Sequence, residues 1–335
     1  AEAYGSAGAA AILFGAGVGE GAQAAAVVTA LADLALLTGN VGRPGTGIYP
    51  LSYGANAQGL ADMGLGGPDT KTVPELLDAA EAGQLHFLYV VGEDPALAVA
   101  DEVRTRAALG KTPFLVVQDG FLTDTAAYAD VVLPAALPTE TSGTYTNGER
   151  CVQRVRPVAA TWGESREDWR IISDIAARTG AAWAYGQTAD VTTEVASVIP
   201  GYAGISQAAL EDEGIFRPSG TEDAGARFAA IPGDGAVAAA AEGRFVLMTG
   251  SVREHHGTGV RSRRSEGLSR LMPEPRAQLN PADADRLGLA TGDRVRVGAA
   301  DDREITLAAA VTERVPAGVV FVPGFSPEAP VTRLL

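Results

Sequence analysis

Two short apolar runs, LHFLYVVGEDP (Leu85–Pro95) and PFLVVQDG (Pro113–Gly120), flank the helix-forming stretch ALAVADEVRTRAAL (Ala96–Leu109). A run of aliphatic residues without polar alternation reads as a strand buried on both faces, which is typical of parallel sheets. Parallel neighbours need a crossover connection, and the intervening stretch supplies one. A third apolar run, ADVVLPA (Ala129–Ala135), follows a short helical turn. VPELLDAAEAG (Val73–Gly83) reads as a helix closed by glycine, and SREDWRIISDIAARTG (Ser165–Gly180) as another, with Ser165 as its N-cap. This alternation restricts the middle of the chain to an α/β fold with a parallel sheet. In such sheets ligands sit outside the carboxyl ends of the strands. That rule singles out VVGEDP (Val90–Pro95) and VVQDGFLTDTA (Val116–Ala126). Asp94, Gln118, Asp119, Thr123 and Asp124 could hydrogen-bond a polar heterocycle there, and the same residue types equally serve turns and caps.

Before this region, AAILFGAG (Ala10–Gly17) reads as a strand and AQAAAVVTALADLALLTG (Ala22–Gly39) as a helix. NVGRPGTGIYP (Asn40–Pro50) is a Gly- and Pro-rich loop in which Arg43 pins the backbone. After about Ala182 the pattern fades, and 218–243 reads as an Ala/Gly-rich linker. Beyond it the grammar changes. RFVLMTG, RVRVGA, REITLAAAVT and GVVFVPGF are short strands, joined by one helix, PADADRLGL (Pro281–Leu289). That pattern predicts a compact β-barrel. The expected domains are thus 1–72 and 73–217, both α/β, the linker 218–243, and a barrel over 244–335.

A net charge of −15 argues against a general nucleic-acid binder, because phosphate backbones need broad Lys/Arg faces. The single cysteine, Cys151, excludes a disulfide framework or a cysteine-held cluster within these residues. No apolar run reaches a membrane span, so direct membrane insertion is not expected. The first residue is Ala1 rather than Met, which suggests part of a longer protein. There is no GxGxxG, no Walker loop and no GxSxG. Nothing in the sequence nominates a catalytic residue. TGSVREHHGTGVRSRR (Thr249–Arg264) gathers two of the three histidines and several arginines. Adjacent His255 and His256 point to opposite faces of an extended segment, so no metal site is expected. Arginine forks suit phosphate or carboxylate. A surface self-paired with Glu254, Glu266 and Glu274, or a subunit-binding face, fits the composition equally well.

Several stretches together resemble the molybdopterin oxidoreductase superfamily: LALLTGNVGRPGTGIYPL, GANAQGLADMG, VVGEDPALAVAD, VVQDGFLTDTAAYADVVLPAALPTETSGTYTNGERCVQ and PRAQLNPADADRLGLATGDRVRV. The resemblance implies parallel-sheet α/β domains followed by a C-terminal double-psi β-barrel, as in formate dehydrogenase and DMSO reductase. It implies a molybdopterin guanine dinucleotide as family cofactor, with iron–sulfur clusters expected only in an N-terminal half outside this chain. Carried over by position, it nominates Gly92, Glu93, Asp94, Pro95, Gln118, Asp119, Thr123, Asp130, His255, Thr258, Gly259 and Arg263 as cofactor-binding. The chain departs from the formate dehydrogenase wording at Ser251, where that group has arginine, and at Gly257, where it has a second histidine. It also ends in APVTRLL (Ala329–Leu335) without the usual asparagine. These losses, with GANAQG, make the chain look like the C-terminal part of the large iron–sulfur subunit of bacterial NADH-quinone oxidoreductase, respiratory complex I. The expectation is then a scaffold without its own molybdenum chemistry. It would bind the upstream part of its chain and other subunits of a respiratory complex, on the cytoplasmic side and peripheral to the inner membrane. The alternative is the cofactor-binding part of a molybdenum or tungsten formate dehydrogenase alpha subunit.

Overall fold

The computed structural model describes residues 2–19, 23–51, 54–67, 69–211, 213–217, 227–231 and 243–335. Of the expected linker, 218–226 and 232–242 lie outside these residues. The chain divides into two units. One comprises Ala1–Thr70, Pro138–Ala160 and Ile172–Ala238, and the other Lys71–Leu137, Thr161–Ile171 and Ala239–Leu335.

The first unit opens with β1 (Ala11–Gly15) and β2 (Gly47–Leu51), paired in parallel. Helix Ala24–Leu37 forms the crossover between them. Fully buried Asn40 organises the loop that follows: its Oδ1 accepts the Ala10 N–H at 3.0 Å. Arg43 pins this loop, donating to the carbonyls of Gly39 (2.9 Å) and Gly8 (3.3 Å).

In the second unit β3 (Leu88–Val91), β4 (Leu115–Asp119) and β5 (Val131–Pro134) form a parallel sheet in that order. All five residues of β4 are buried, the aliphatic Leu115–Val117 together with polar Gln118 and Asp119 at the carboxyl end. Val90, Ala96, Leu109, Leu115 and Val117 make the core. Helix Val73–Glu81 starts at Thr72, whose N–H donates to the Glu75 carboxylate at 2.6 Å, with Pro74 in the first turn. Helix Glu102–Lys111 is the crossover from β3 to β4. Its N-cap, Asp101, accepts the Arg104 N–H at 3.1 Å.

Within the first unit, β6 (Gly143–Thr146), β7 (Cys151–Val155) and β8 (Ile215–Phe216) form an antiparallel sheet. Beside it lies a buried polar cluster. The Asp62 carboxylate pairs with Arg217 and accepts from Tyr202 Oη (2.9 Å) and Gln58 Nε2 (2.9 Å). The Arg217 guanidinium lies 4.1 Å from the centre of the Tyr202 ring.

The second unit is completed by β9 (Val246–Gly250), β10 (Arg276–Leu279), β11 (Arg294–Gly298), β12 (Glu304–Val311) and β13 (Val319–Pro323). These strands correct the expectation of a closed double-psi barrel. Among the described residues they make one open sheet in the order β11-β12-β10-β13-β9, and β11 and β9 each pair on one side only. A barrel needs its end strands hydrogen-bonded to each other. Inward alternation is the same in an open sheet and a closed one, so short strands alone could not separate the two. The core lies on one face, built from Ala277, Leu279, Ile305, Leu307, Val320 and Val322 with Val331 and Leu334. Among the described residues no helix is long and apolar enough to cross a membrane.

Candidate functional site

β3 and β4 run in parallel with Val91 opposite Gln118, so their carboxyl ends lie side by side. The turns leaving them form one wall of a cavity of about 320 Å³, made of Gly92, Glu93, Asp94 and Asp119. The loop after β9 forms the other wall, with His256, Gly257, Thr258, Val260, Arg261 and Ser262. Gly92, at φ 67°, turns the backbone sharply where β3 ends, in a conformation that other residues adopt only with strain.

The nominated strand-end residues divide into braces and lining. Asp94 is almost fully buried, and its Oδ1 accepts from Thr125 N (2.9 Å) and Thr125 Oγ1 (2.6 Å). Thr125 Oγ1 in turn accepts the Ala96 N–H at 3.0 Å, so this carboxylate locks the exit of β3 to the exit of β4. Pro95 begins the short helix that follows. Gln118 is fully buried: its Oε1 accepts from Tyr89 Oη and its Nε2 donates to Asp168 at 2.5 Å. Thr123 Oγ1 accepts from Ala126 N (3.2 Å), and Asp130 accepts from Leu115 N (2.8 Å). Thr123 and Asp130 are not among the lining residues.

Asp119 both lines the cavity and is buried, and its Oδ1 accepts the Phe121 N–H at 2.9 Å. Burial pushes its carboxyl above the ordinary aspartate value. The neighbouring Asp94 charge adds to that shift, while the Phe121 N–H and Arg261 oppose it. A carboxylate held this way gains from any N–H donor brought to it.

The loop wall is anchored from behind. His255 is 1% exposed and stacks on Phe325 with ring centroids 4.2 Å apart. Its Nδ1 lies 3.0 Å from Ser262 Oγ and its Nε2 2.8 Å from the Met272 carbonyl. It is His256 that reaches the cavity. Arg264 stacks over Phe121 at 4.3 Å and donates to the Leu122 carbonyl at 3.4 Å, tying the loop to the exit of β4. The buried Nε of Arg263 has no hydrogen-bond partner among the described residues. Gly259 sits at φ 73°, and a Cβ there would lie 2.9 Å from the Phe325 carbonyl oxygen. Gly259→Ala is therefore expected to cost about 2 kcal/mol through left-handed strain and displacement of Phe325. Thermal melting checks it, and an unchanged Tm would show that the loop shifts freely.

The arrangement joins Asp119, an acceptor for N–H donors, to Arg261, a donor for anionic oxygens, in one cavity. His256, Gly257, Val260 and Ser262 carry no nomination from the sequence, and Arg261 enters there only as one of several arginines suited to phosphate. The available signal was the alternation across His255–His256, which assigns one ring inward and one outward without saying which. Positive φ at Gly257 and Gly259 then breaks the simple alternation downstream.

Comparison with known proteins identifies this frame. The molybdopterin oxidoreductase family model matches residues 3–178, and the molydopterin dinucleotide binding domain model matches residues 245–333. The chain belongs to the molybdopterin oxidoreductase family. It is 36% identical to the F420-dependent formate dehydrogenase subunit alpha of Methanocaldococcus jannaschii, across 96% of this chain and 54% of that protein. It is 35% identical to the F420-dependent formate dehydrogenase 2 subunit alpha of Methanococcus maripaludis, with the same shares covered. The chain thus spans about half the length of the curated relatives it matches. The solved structure of acetylene hydratase from Pelobacter acetylenicus shares the fold, with a TM-score of 0.63 at 16% identity over 80% of this chain and 43% of that one.

These relatives correct the assignment to NADH-quinone oxidoreductase. The similarity runs to formate dehydrogenase alpha subunits, and neither a complex I scaffold nor iron–sulfur clusters find support in it. The departures that suggested a vestigial loop have a local explanation. Ser251 Oγ accepts the Gly257 N–H at 3.0 Å and lies 3.5 Å from His256 Nδ1, so serine closes this loop with its own hydrogen bonds.

Proposed function

We propose that this chain is the cofactor-holding portion of a molybdenum or tungsten formate dehydrogenase alpha subunit, and that the nucleotide end of a molybdopterin guanine dinucleotide enters the cavity between Asp119 and Arg261. The observation that carries the reading is the presence of both side chains in a single cavity at the carboxyl ends of parallel strands. When bound, the cofactor supplies a metal centre for two-electron oxidation of formate to carbon dioxide.

The chain's own residues bind and orient. Asp119 would accept from the N–H edge of the base, at a site desolvated enough to strengthen charge-assisted hydrogen bonds. Arg261 would serve phosphate oxygens, as guanidinium forks do, and the unpartnered Arg263 Nε is a further buried donor in the same loop. Gly92 and Gly257 leave the backbone bare at the cavity wall, which allows close approach of a large ligand. Asp94 and Gln118 would act one step removed, fixing the turns on which Glu93 and Asp119 stand. The likeness to formate dehydrogenase alpha subunits supports formate as the substrate.

The test is the metal and pterin content of the protein isolated from its host, by plasma mass spectrometry and by fluorescence of the oxidised pterin. Stoichiometric molybdenum or tungsten with pterin is the expected result. Protein lacking both overturns the proposal.

A further inference from the structure

Both walls of the cavity converge on the C-terminal segment. On the loop side, Gly259 and His255 rest on Phe325, which is 1% exposed. On the strand side, a chain of hydrogen bonds and ion pairs leads away from the cavity. Asp94 accepts from Asp124 N (3.4 Å), and the Asp124 carboxylate pairs with Arg106 at 2.7 Å. Arg106 Nε donates to Glu102 Oε1 at 2.8 Å. The other oxygen of Glu102 takes two donors from Arg333, Nε at 2.9 Å and Nη2 at 2.8 Å. Next to Arg333, the Thr332 carbonyl accepts the Asp101 N–H at 2.9 Å. Asp101 is held at φ 56°, a strained conformation for a residue with a side chain.

Glu102 is nearly fully buried, at 4% exposure. A buried carboxylate with an arginine on each oxygen is satisfied only while both arginines stay. Arg333 therefore does more than decorate a surface. Phe325 and Arg333 lie eight positions apart on one segment, and between them they hold the loop wall and the strand wall.

We propose that Arg333, acting through Glu102, is a positioning residue that sets the separation of the two cavity walls, so that the C-terminal segment acts as a clasp on the walls from outside the cavity. The clasp rests on the reading of this cavity as the dinucleotide site only for the identity of its ligand. Its mechanical part stands on the ion pairs.

The experiment compares full-length wild type, Arg333→Ala, Arg333→Lys and Arg104→Ala. Arg104 pairs with Glu81 and Asp78 on the surface, outside this chain of contacts, and controls for loss of a salt bridge in the same helix. Backbone hydrogen exchange is read at Gly92–Asp94 and Gly257–Ser262. Retained pterin is read after extended dilution. Arg333→Ala is expected to raise exchange in both walls by at least about tenfold and to shorten pterin retention by a similar factor. Arg333→Lys keeps the charge and is expected to recover part of both effects, whereas Arg104→Ala leaves both at the wild-type level. Unchanged exchange in Arg333→Ala overturns the clasp, as does an equal rise in Arg104→Ala. Wild type without pterin overturns the ligand assignment instead, and the exchange readout still decides the clasp.

Discussion

Asp62→Ala is expected to destabilise the first unit by about 3–5 kcal/mol, because it strands the Arg217 guanidinium in a site where little solvent reaches it. The side chains of Arg217 and Asp62 are 8% and 13% exposed. Arg217 donates to Asp62 and to the Gly201 carbonyl (3.0 Å) and lies over the Tyr202 ring. Tyr202 Oη bonds both Asp62 and Thr146 Oγ1. Helix Ala57–Asp62, the turn at Pro200–Tyr202 and the residue after β8 thus share one carboxylate, and the Tyr202 hydroxyl links β6 to it. On this scale Tm falls by on the order of 10 °C, measured by differential scanning calorimetry. The pair also carries a pH dependence. Burial works against the Asp62 charge, but Arg217, Gln58 and Tyr202 outweigh it and hold the carboxyl below the ordinary aspartate value. The unfolded chain then binds more protons than the folded one in the window below that value. Wild-type stability is full above the ordinary value and is lost as pH falls toward the depressed one. Asp62→Ala should lack that slope. A variant melting within about a degree of wild type would mean that water reaches Arg217 and the cluster is not structural.

The α/β part of the fold was legible because the strands of a parallel sheet show as short aliphatic runs between crossover helices, and LYVV and the LVV that opens β4 are such runs. The long-range partnerships were not. Nothing local in Arg217 or Asp62 announces a pair separated by 155 positions. β10 was missed because it spans only Arg276–Leu279, and its alternation of Arg and Gln with Ala277 and Leu279 resembles a polar lead-in to the following helix. It nevertheless lies at the centre of its sheet, parallel to β12 and antiparallel to β13. Without it the four recognised strands offered no evidence on closure. Helix Asp168–Arg178 begins later than Ser165 proposed, since the Ser165 hydroxyl bonds back to the Trp162 carbonyl. At the site, the strand-end rule pointed from sequence to the turns after β3 and β4, whose Gly92, Glu93, Asp94 and Asp119 line the cavity. It could not separate Asp94 and Gln118, which spend their polar atoms on neighbouring backbone and side chains, from Asp119. That distinction depends on Thr125, Tyr89 and Asp168, which are distant in sequence from the residues they engage.

Asp119→Asn should separate holding a ligand from holding the fold. The shape of the side chain is kept, so the Phe121 N–H retains its acceptor. The charge is removed from a site whose burial already disfavours it. For a carboxyl raised above its ordinary value the folded state binds the extra proton, so stability is full below the ordinary value and declines as pH rises through the raised one. The Asn variant should lose that decline and melt no lower than wild type at neutral pH. Ligand retention should move the other way. A carboxylate offers acceptors to two N–H donors, whereas the amide offers one oxygen and turns an NH₂ toward the remaining donor. Losing a charge-assisted pair at a desolvated site is worth roughly 3 kcal/mol, or on the order of 100-fold in affinity. Pterin retained per chain, followed against pH by dialysis, should fall in wild type as acid protonates Asp119. In the variant it should be low and flat. Full retention in Asp119→Asn would falsify the assignment of Asp119 to the base and leave the Arg261 side of the cavity as the holding element. A low melting temperature together with lost pterin would instead make Asp119 a fold residue like Asp94, because a side chain that only reads a ligand has no reason to stabilise the empty site.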